Sequence, residues 1–148
     1  MIPQGLLKHV NNRRSMTLKE YFQNINGNGI LSTADSLGKV DAAIYSIPHV
    51  FDDGTLAFLM RERLTHLNLQ SNPYAVFLFI ENASGHRGVR LFLKKLKEET
   101  DSTLISKMTR RNLTPEEDKQ KGPKFLVYFT VEKILPLIGS GESRITLY

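Results

Sequence analysis

The sequence predicts a mainly β fold of the α+β class, an antiparallel β-barrel of six short strands with short flanking helices. Three observations carry that prediction. Six segments of strand length are enriched in β-branched and aromatic residues or alternate apolar with polar positions. Neighbouring segments are joined by turn-forming runs such as Ser36-Leu-Gly-Lys39 and Asp52-Asp-Gly54. The helical stretches between them are short, whereas every parallel strand pair would need a long crossover.

In chain order, Thr17-Leu-Lys-Glu20 is a capping box, in which the threonine hydroxyl and the glutamate satisfy two free backbone donors. It predicts a helix to about Ile25, stopped by Asn26-Gly-Asn-Gly29. Ile30 to Asp35 reads as a strand. Val40 to Phe51 has apolar residues on both alternate faces, which predicts a strand covered on both sides. Asp52-Asp-Gly54 turns the chain, and Thr55 to Arg61 pairs back with Leu56, Phe58 and Met60 on one face. Leu64 to Ser71 has helical spacing and ends at Asn72-Pro73, because proline disfavours helical geometry in the residue before it. Tyr74 to Glu81 is a strand. Val89 to Lys97 is another, with its alternation slipping at Lys94-Lys95 as at a bulge. Asp101 caps a helix to about Arg111, Asn112 to Lys124 reads as a polar loop, and Lys124 to Leu135 alternates as the last strand.

At 148 residues the chain is the size of one domain, read here as 1–148. It contains no cysteine, which excludes disulfides, thiolate metal sites and cysteine nucleophiles and fits a cytoplasmic location. The apolar run at the start breaks at Lys8, so no signal-peptide core is read there. The longest apolar run, Tyr74 to Ile80, is strand-sized and predicts no membrane helix. Lys+Arg 20 against Asp+Glu 15 gives +5, a modest excess that suits an anionic partner.

The most informative stretch is Arg61-Glu-Arg-Leu-Thr65, between a strand and a helix. A helix opening at Thr65 presents free backbone N–H groups and the positive end of its dipole, and Arg61, Arg63 and the Thr65 hydroxyl add donors. A phosphate monoester would be held here by charge-assisted hydrogen bonds. The same residues also read as solvated surface charges and a plain helix cap.

Five stretches taken in order, Gly29-Ile-Leu-Ser-Thr-Ala-Asp35, Gly38-Lys-Val-Asp-Ala42, Asp53-Gly-Thr-Leu56, Arg61-Glu-Arg-Leu-Thr65 and Asn68-Leu-Gln-Ser-Asn-Pro73, give a resemblance. It is to the FMN-binding split-barrel, or pyridoxamine 5'-phosphate oxidase-like, family, and it runs over roughly Thr17 to Ile134. The resemblance implies a six-stranded antiparallel split β-barrel, a homodimer, and one FMN per subunit at the dimer interface. It implies Ile44, Tyr45 and Ser46 as flavin-ring contacts and Arg61, Arg63 and Thr65 as the phosphate site. Leu64 stands where the family commonly has a basic residue, so the arginines must supply the charge. Gly88 occupies the place of a flavin-contacting glutamine of the oxidases. No recognisable arginine and histidine substrate residues lie near Ser140 to Tyr148, which points away from pyridoxamine phosphate oxidation itself. Arg87 and Arg90 are further ligand candidates, with exposed charge as the alternative.

Related split barrels include haem-binding proteins, but His9, His49, His66 and His86 show no metal spacing. The resemblance implies an FMN-binding flavoprotein oxidoreductase, with substrate and electron donor left open. Two alternatives are a basic barrel that binds single-stranded nucleic acid, using Val89 to Lys97, and a flavin-free dimeric split barrel. The first is disfavoured because Phe92 is the only aromatic residue in that run and acidic residues follow at once.

Overall fold

The computed structural model describes residues 15–100, 103–109 and 113–148. The elements are β1 (Met16–Thr17), α1 (Leu18–Asn24), β2 (Gly27–Ala34), β3 (Val40–Tyr45), β4 (His49–Val50), β5 (Leu56–Arg61) and α2 (Leu64–Ser71). There follow β6 (Tyr74–Glu81), β7 (Gly88–Glu99), α3 (Thr103–Met108), α4 (Pro115–Gln120), β8 (Lys124–Pro136) and β9 (Ile145–Thr146). The main sheet is antiparallel in the order β3-β2-β6-β7-β8-β5-β4, and β1 pairs in parallel with β9.

That order requires closure. β3 and β4 lie at opposite ends of the sheet, yet only residues 46–48 separate them. The chain from Tyr45 to His49 spans at most about 14 Å, whereas the outer strands of a flat seven-stranded sheet would be about 29 Å apart. The sheet must therefore curl until its two ends meet. Closure is incomplete, because β3 pairs only with β2, while β5 pairs with β8 and, at Leu56–Ala57 alone, with β4. Beyond that point the edges of β3 and β5 are unjoined. The molecule is the antiparallel split barrel that the resemblance implies.

Two sequence expectations about strands are corrected. Val40 to Phe51 is not one strand but β3 and β4, interrupted at Ser46-Ile47-Pro48, where proline cannot donate to a ladder. Nor is β3 covered on both sides within the subunit, since Val40 is 83% and Ile44 86% exposed. The break turns six expected strands into seven, and the β1–β9 pair adds a small second sheet.

Local signals account for most other boundaries. The Thr17 hydroxyl accepts from the Glu20 N–H and caps α1, and Ile25 closes it. The expected slip in β7 is a register shift between Lys95 and Lys97, with another between Phe92 and Leu93. The stretch Asn112 to Lys124 is not all loop, because α4 opens there on Thr114, whose hydroxyl accepts from the Glu117 N–H, with proline at the helix start. The cap expected at Asp101 and the helix end expected at Arg111 lie outside the described residues.

The core inside the barrel is aromatic. Phe58 packs on Phe77 at 4.9 Å and edge-on to Phe129 at 5.9 Å, all three fully buried. On the outer side of β5 and β8, Ala57 and Leu126 are covered by Ile105 of α3. The motif residues Asn68 and Asn72 are joints. Asn68 is 3% exposed and donates to the Thr33 hydroxyl, and Asn72 accepts from the Tyr74 N–H, tying α2 to β2 and β6. Among the described residues no helix is long and apolar enough to cross a membrane.

Candidate functional site

The split between β3 and β5 opens into a cleft of about 430 Å³. One wall is β3 and its continuation, with Asp41, Ile44, Tyr45 and Ser46. The other is the end of β5 with Leu59, Met60 and Arg61, followed by Arg63, Leu64 and Thr65 at the start of α2. All six sequence-predicted residues, Ile44, Tyr45, Ser46, Arg61, Arg63 and Thr65, line this one cleft. A split barrel leaves two facing strand edges whose backbone donors and acceptors have no ladder partner. Such edges offer the rim of a planar heterocycle an alternating set of N–H and C=O groups.

The corner at α2 is electropositive. The helix opens at Leu64, as its spacing predicts and one residue before the Thr65 opening of the anion-site reading, with Arg63 in extended geometry as its N-cap and no side chain capping it. Arg63 is exposed, and no acceptor among the described residues takes its guanidinium. The N–H groups of the first turn point outward with the helix dipole behind them. Thr65 is 3% exposed and its hydroxyl meets the phenol of Tyr45. Burial pushes the Tyr45 phenol up, opposed by the hydrogen bond from Thr65 and the Arg63 charge, with Asp41 adding to the rise. Tyr45 is therefore a neutral donor at ordinary pH. Its position ties the β3 wall to the corner.

Arg61 and Arg63 are not equivalent. Arg61 is directed away from the corner, donating to the Asp118 carboxylate at 2.6 Å and to the carbonyls of Gly122 and Asp118 at 2.8 and 3.2 Å. Lys124 reaches the other oxygen of Asp118 at 2.7 Å. These two cations hold the Asp118 carboxyl below the usual range, Lys124 first and Arg61 second. This clamp fastens α4 to the barrel and brings Met108, Thr109, Leu113 and Lys121 to the cleft as a third wall. Sequence reasoning missed that wall. The only signal for it is the Thr114-Pro-Glu-Glu117 cap, which marks a helix but not what it faces.

The other candidates fall elsewhere. Arg90 donates to the carbonyls of Pro136 and Gly139 and so anchors the chain after β8. A side chain cannot stand at position 88, since a Cβ there would meet the Phe79 carbonyl oxygen at 1.9 Å. Close approach of β6 and β7 thus accounts for the glycine. His66 lies behind the cleft, stacked on Phe125 with ring centroids 3.9 Å apart and Nε2 2.8 Å from Glu98.

No protein-family model and no curated protein sequence matches the chain. Solved structures do match. An FMN-binding protein from Syntrophomonas wolfei superimposes with a TM-score of 0.66 at 20% identity, over 92% of this chain and 94% of that one. A candidate pyridoxamine 5'-phosphate oxidase from Lactobacillus delbrueckii gives 0.59 at 17%, over 82% and 93%. HutZ, the haem storage protein from Vibrio cholerae, gives 0.57 at 19%, over 81% and 94%. At these identities the shared property is the fold, that of the FMN-binding, pyridoxamine 5'-phosphate oxidase-like split barrels.

Proposed function

We propose that the chain is a single FMN-binding split-barrel domain that works as a homodimeric flavoprotein oxidoreductase. The observation that carries this reading is the meeting, in one cleft, of two unpaired strand edges with an electropositive helix start. The first suits the rim of a flavin ring and the second a phosphate. Arg63, Thr65 and the first-turn N–H groups of α2 would hold the FMN phosphate. Ile44, Tyr45 and Ser46 would lie along the ring, and Arg61 would contribute field and not contact. FMN, when bound, supplies hydride or electron chemistry. The chain's own part is to orient the ring between β3 and β5 and to neutralise the phosphate.

Haem is the competing ligand, since one structural neighbour is a haem storage protein. Among the described residues no histidine lines the cleft. His66, the nearest in sequence to it, is engaged with Glu98 and Phe125. Among the described residues the cleft thus offers an anion site but no imidazole for an axial bond.

A second copy of the chain would complete the site. The outward rows of the sheet, Ile44-Ile30-Leu78-Arg90 and Ala42-Ser32-Val76-Phe92, are mainly apolar and continue to the β3 wall of the cleft. Val40 and Ile44 are left almost fully exposed by the single subunit, which is unusual for large apolar side chains on one contiguous face. Single-stranded nucleic acid is a poorer occupant. Tyr74, Phe92 and Tyr128 already carry Lys94, Lys133 and Lys97 over their rings, where bases would stack.

The test is titration of the purified protein with FMN and with haem, followed by visible absorbance, together with light scattering on a sizing column. A bound-flavin spectrum from a dimer is the expected result. Haem binding in preference to FMN, or a monomer mass at micromolar concentration, would overturn it.

A further inference from the structure

We infer that the end of the cleft built by the β7–β8 connection is a second anion subsite, which takes the carboxylate or phosphate of a small-molecule substrate with an apolar body. The inference rests on the flavin reading only for calling that molecule a substrate.

Two independent observations carry it. The side chains of Arg61 and Lys124 are each only 18% exposed, and both converge on the single carboxylate of Asp118, at 2.6 and 2.7 Å. Among the described residues neither has another ion-pair partner. One positive charge is therefore left uncompensated in a partly dehydrated place, a situation that a ligand anion would relieve. Separately, Lys121 lines the same end of the cleft and has no ion-pair partner among the described residues. Beside it Met108 and Leu113 offer apolar surface, while the Thr109 hydroxyl donates to the Ile105 carbonyl and accepts from Lys124.

The charge of the cleft is lopsided in a way that supports this. Among the described residues its lining includes four cationic side chains, Arg61, Arg63, Lys121 and Lys124, against one acid, Asp41 on the β3 wall. If Arg63 and the α2 corner take a phosphate, Lys121 and the excess charge of the clamp remain. Lys121 comes from the β7–β8 connection and the clamp cations from the ends of β5 and β8, so they would recognise a second anion without drawing on the donors at α2. Lys121 is the contact residue. Asp118 is a positioning residue, which fixes the helix that ends at Lys121.

The experiment uses benzoate as the anionic probe and benzyl alcohol as its neutral counterpart, followed by backbone amide shifts of the full chain with and without added FMN. Benzoate is expected to shift Thr109, Lys121 and Lys124, and benzyl alcohol to do so much less. Lys121→Ala is expected to weaken benzoate by up to about fivefold, the upper end for one exposed charge pair. Lys121→Arg should restore it, and Lys119→Ala, on the same helix but outside the cleft lining, should leave it unchanged. Methyl phosphate in place of benzoate tells whether the subsite prefers phosphate. Equal binding of benzoate and benzyl alcohol, an unaltered Lys121→Ala affinity, or displacement of benzoate by FMN would each overturn the inference. Failure of FMN itself to bind would count against the flavin reading alone, because the benzoate arm is read without it.

Discussion

Asp118 of α4 fixes Arg61 of β5, with one guanidinium nitrogen 2.6 Å from its carboxylate and a second 2.8 Å from the Gly122 carbonyl. The pairing divides two arginines that the sequence presents as alike. Arg61→Ala removes the side-chain donor to the Gly122 carbonyl and one of the two cations on Asp118, which predicts a loss of about 1–3 kcal/mol in stability. It should weaken FMN only slightly more than riboflavin, since the phosphate feels its field but is not its partner. Chemical denaturation measures the first effect and titration of both flavins the second. A loss confined to FMN would return Arg61 to the phosphate site.

Ile44 is predicted to be a central residue of the dimer contact. Burying its side chain is worth about 1.5–3 kcal/mol, and two-fold symmetry uses it twice. Ile44→Lys should therefore raise the dimer dissociation constant at least about a hundredfold. Sedimentation over a concentration series reads this directly. The same protein should remain folded, because Ile44 contributes nothing to the core of its own subunit.

Much of this architecture is legible in local sequence, and what is not legible is long-range. The capping box at Thr17, the helix at Leu64–Ser71 and the strand at Tyr74–Glu81 follow from spacing alone, because each signal lies within one turn or one strand. The break at Pro48 was visible as a residue, yet β-branched neighbours on both sides mask it as one strand. Covered and exposed apolar faces look alike in sequence, so Ile44 reads as core when it is bare in the subunit. The clamp of Arg61 joins residues 57 apart, and nothing local marks its partner. Gly88 shows the converse, where a missing side chain reflects a neighbouring backbone and not a lost ligand contact.

Acid is predicted to loosen the support behind the site through Glu98. Burial alone would raise this carboxyl, but hydrogen bonds from Lys95, His66 and Gln70 bring it down to about 2 from an ordinary 4.5. A depressed carboxyl stabilises the fold above its unfolded value, and that contribution is lost as pH falls from 4.5 towards about 2. Wild type should lose more stability than Glu98→Gln between about pH 5 and pH 3, because the variant has no such proton to take up. Urea unfolding of the two at both pH values decides it. Parallel losses would assign the acid sensitivity to other carboxylates.

The most discriminating prediction concerns the corner where α2 begins. If Arg63 and Thr65 hold a phosphate there, Arg63→Ala should weaken FMN by about 1.5–3 kcal/mol, the scale of a hydrogen bond to a charged group, or about tenfold or more in affinity. Riboflavin lacks the phosphate, so its weaker binding should hardly change. Thr65→Val should show the same selectivity with a smaller loss, since the first-turn N–H groups and the dipole stay in place. Tyr45→Phe separates the two halves of the site. Its hydroxyl meets Thr65, whereas its ring packs edge-on to Phe58 at 5.9 Å. Removing the hydroxyl should cost FMN more than riboflavin if the phenol serves the corner, and both equally if Tyr45 acts only beside the ring. Fluorescence titration of both flavins against wild type and the three variants reads all of these differences. Equal losses for FMN and riboflavin at Arg63 would assign that residue to general folding, and no loss for either would move the phosphate elsewhere in the cleft.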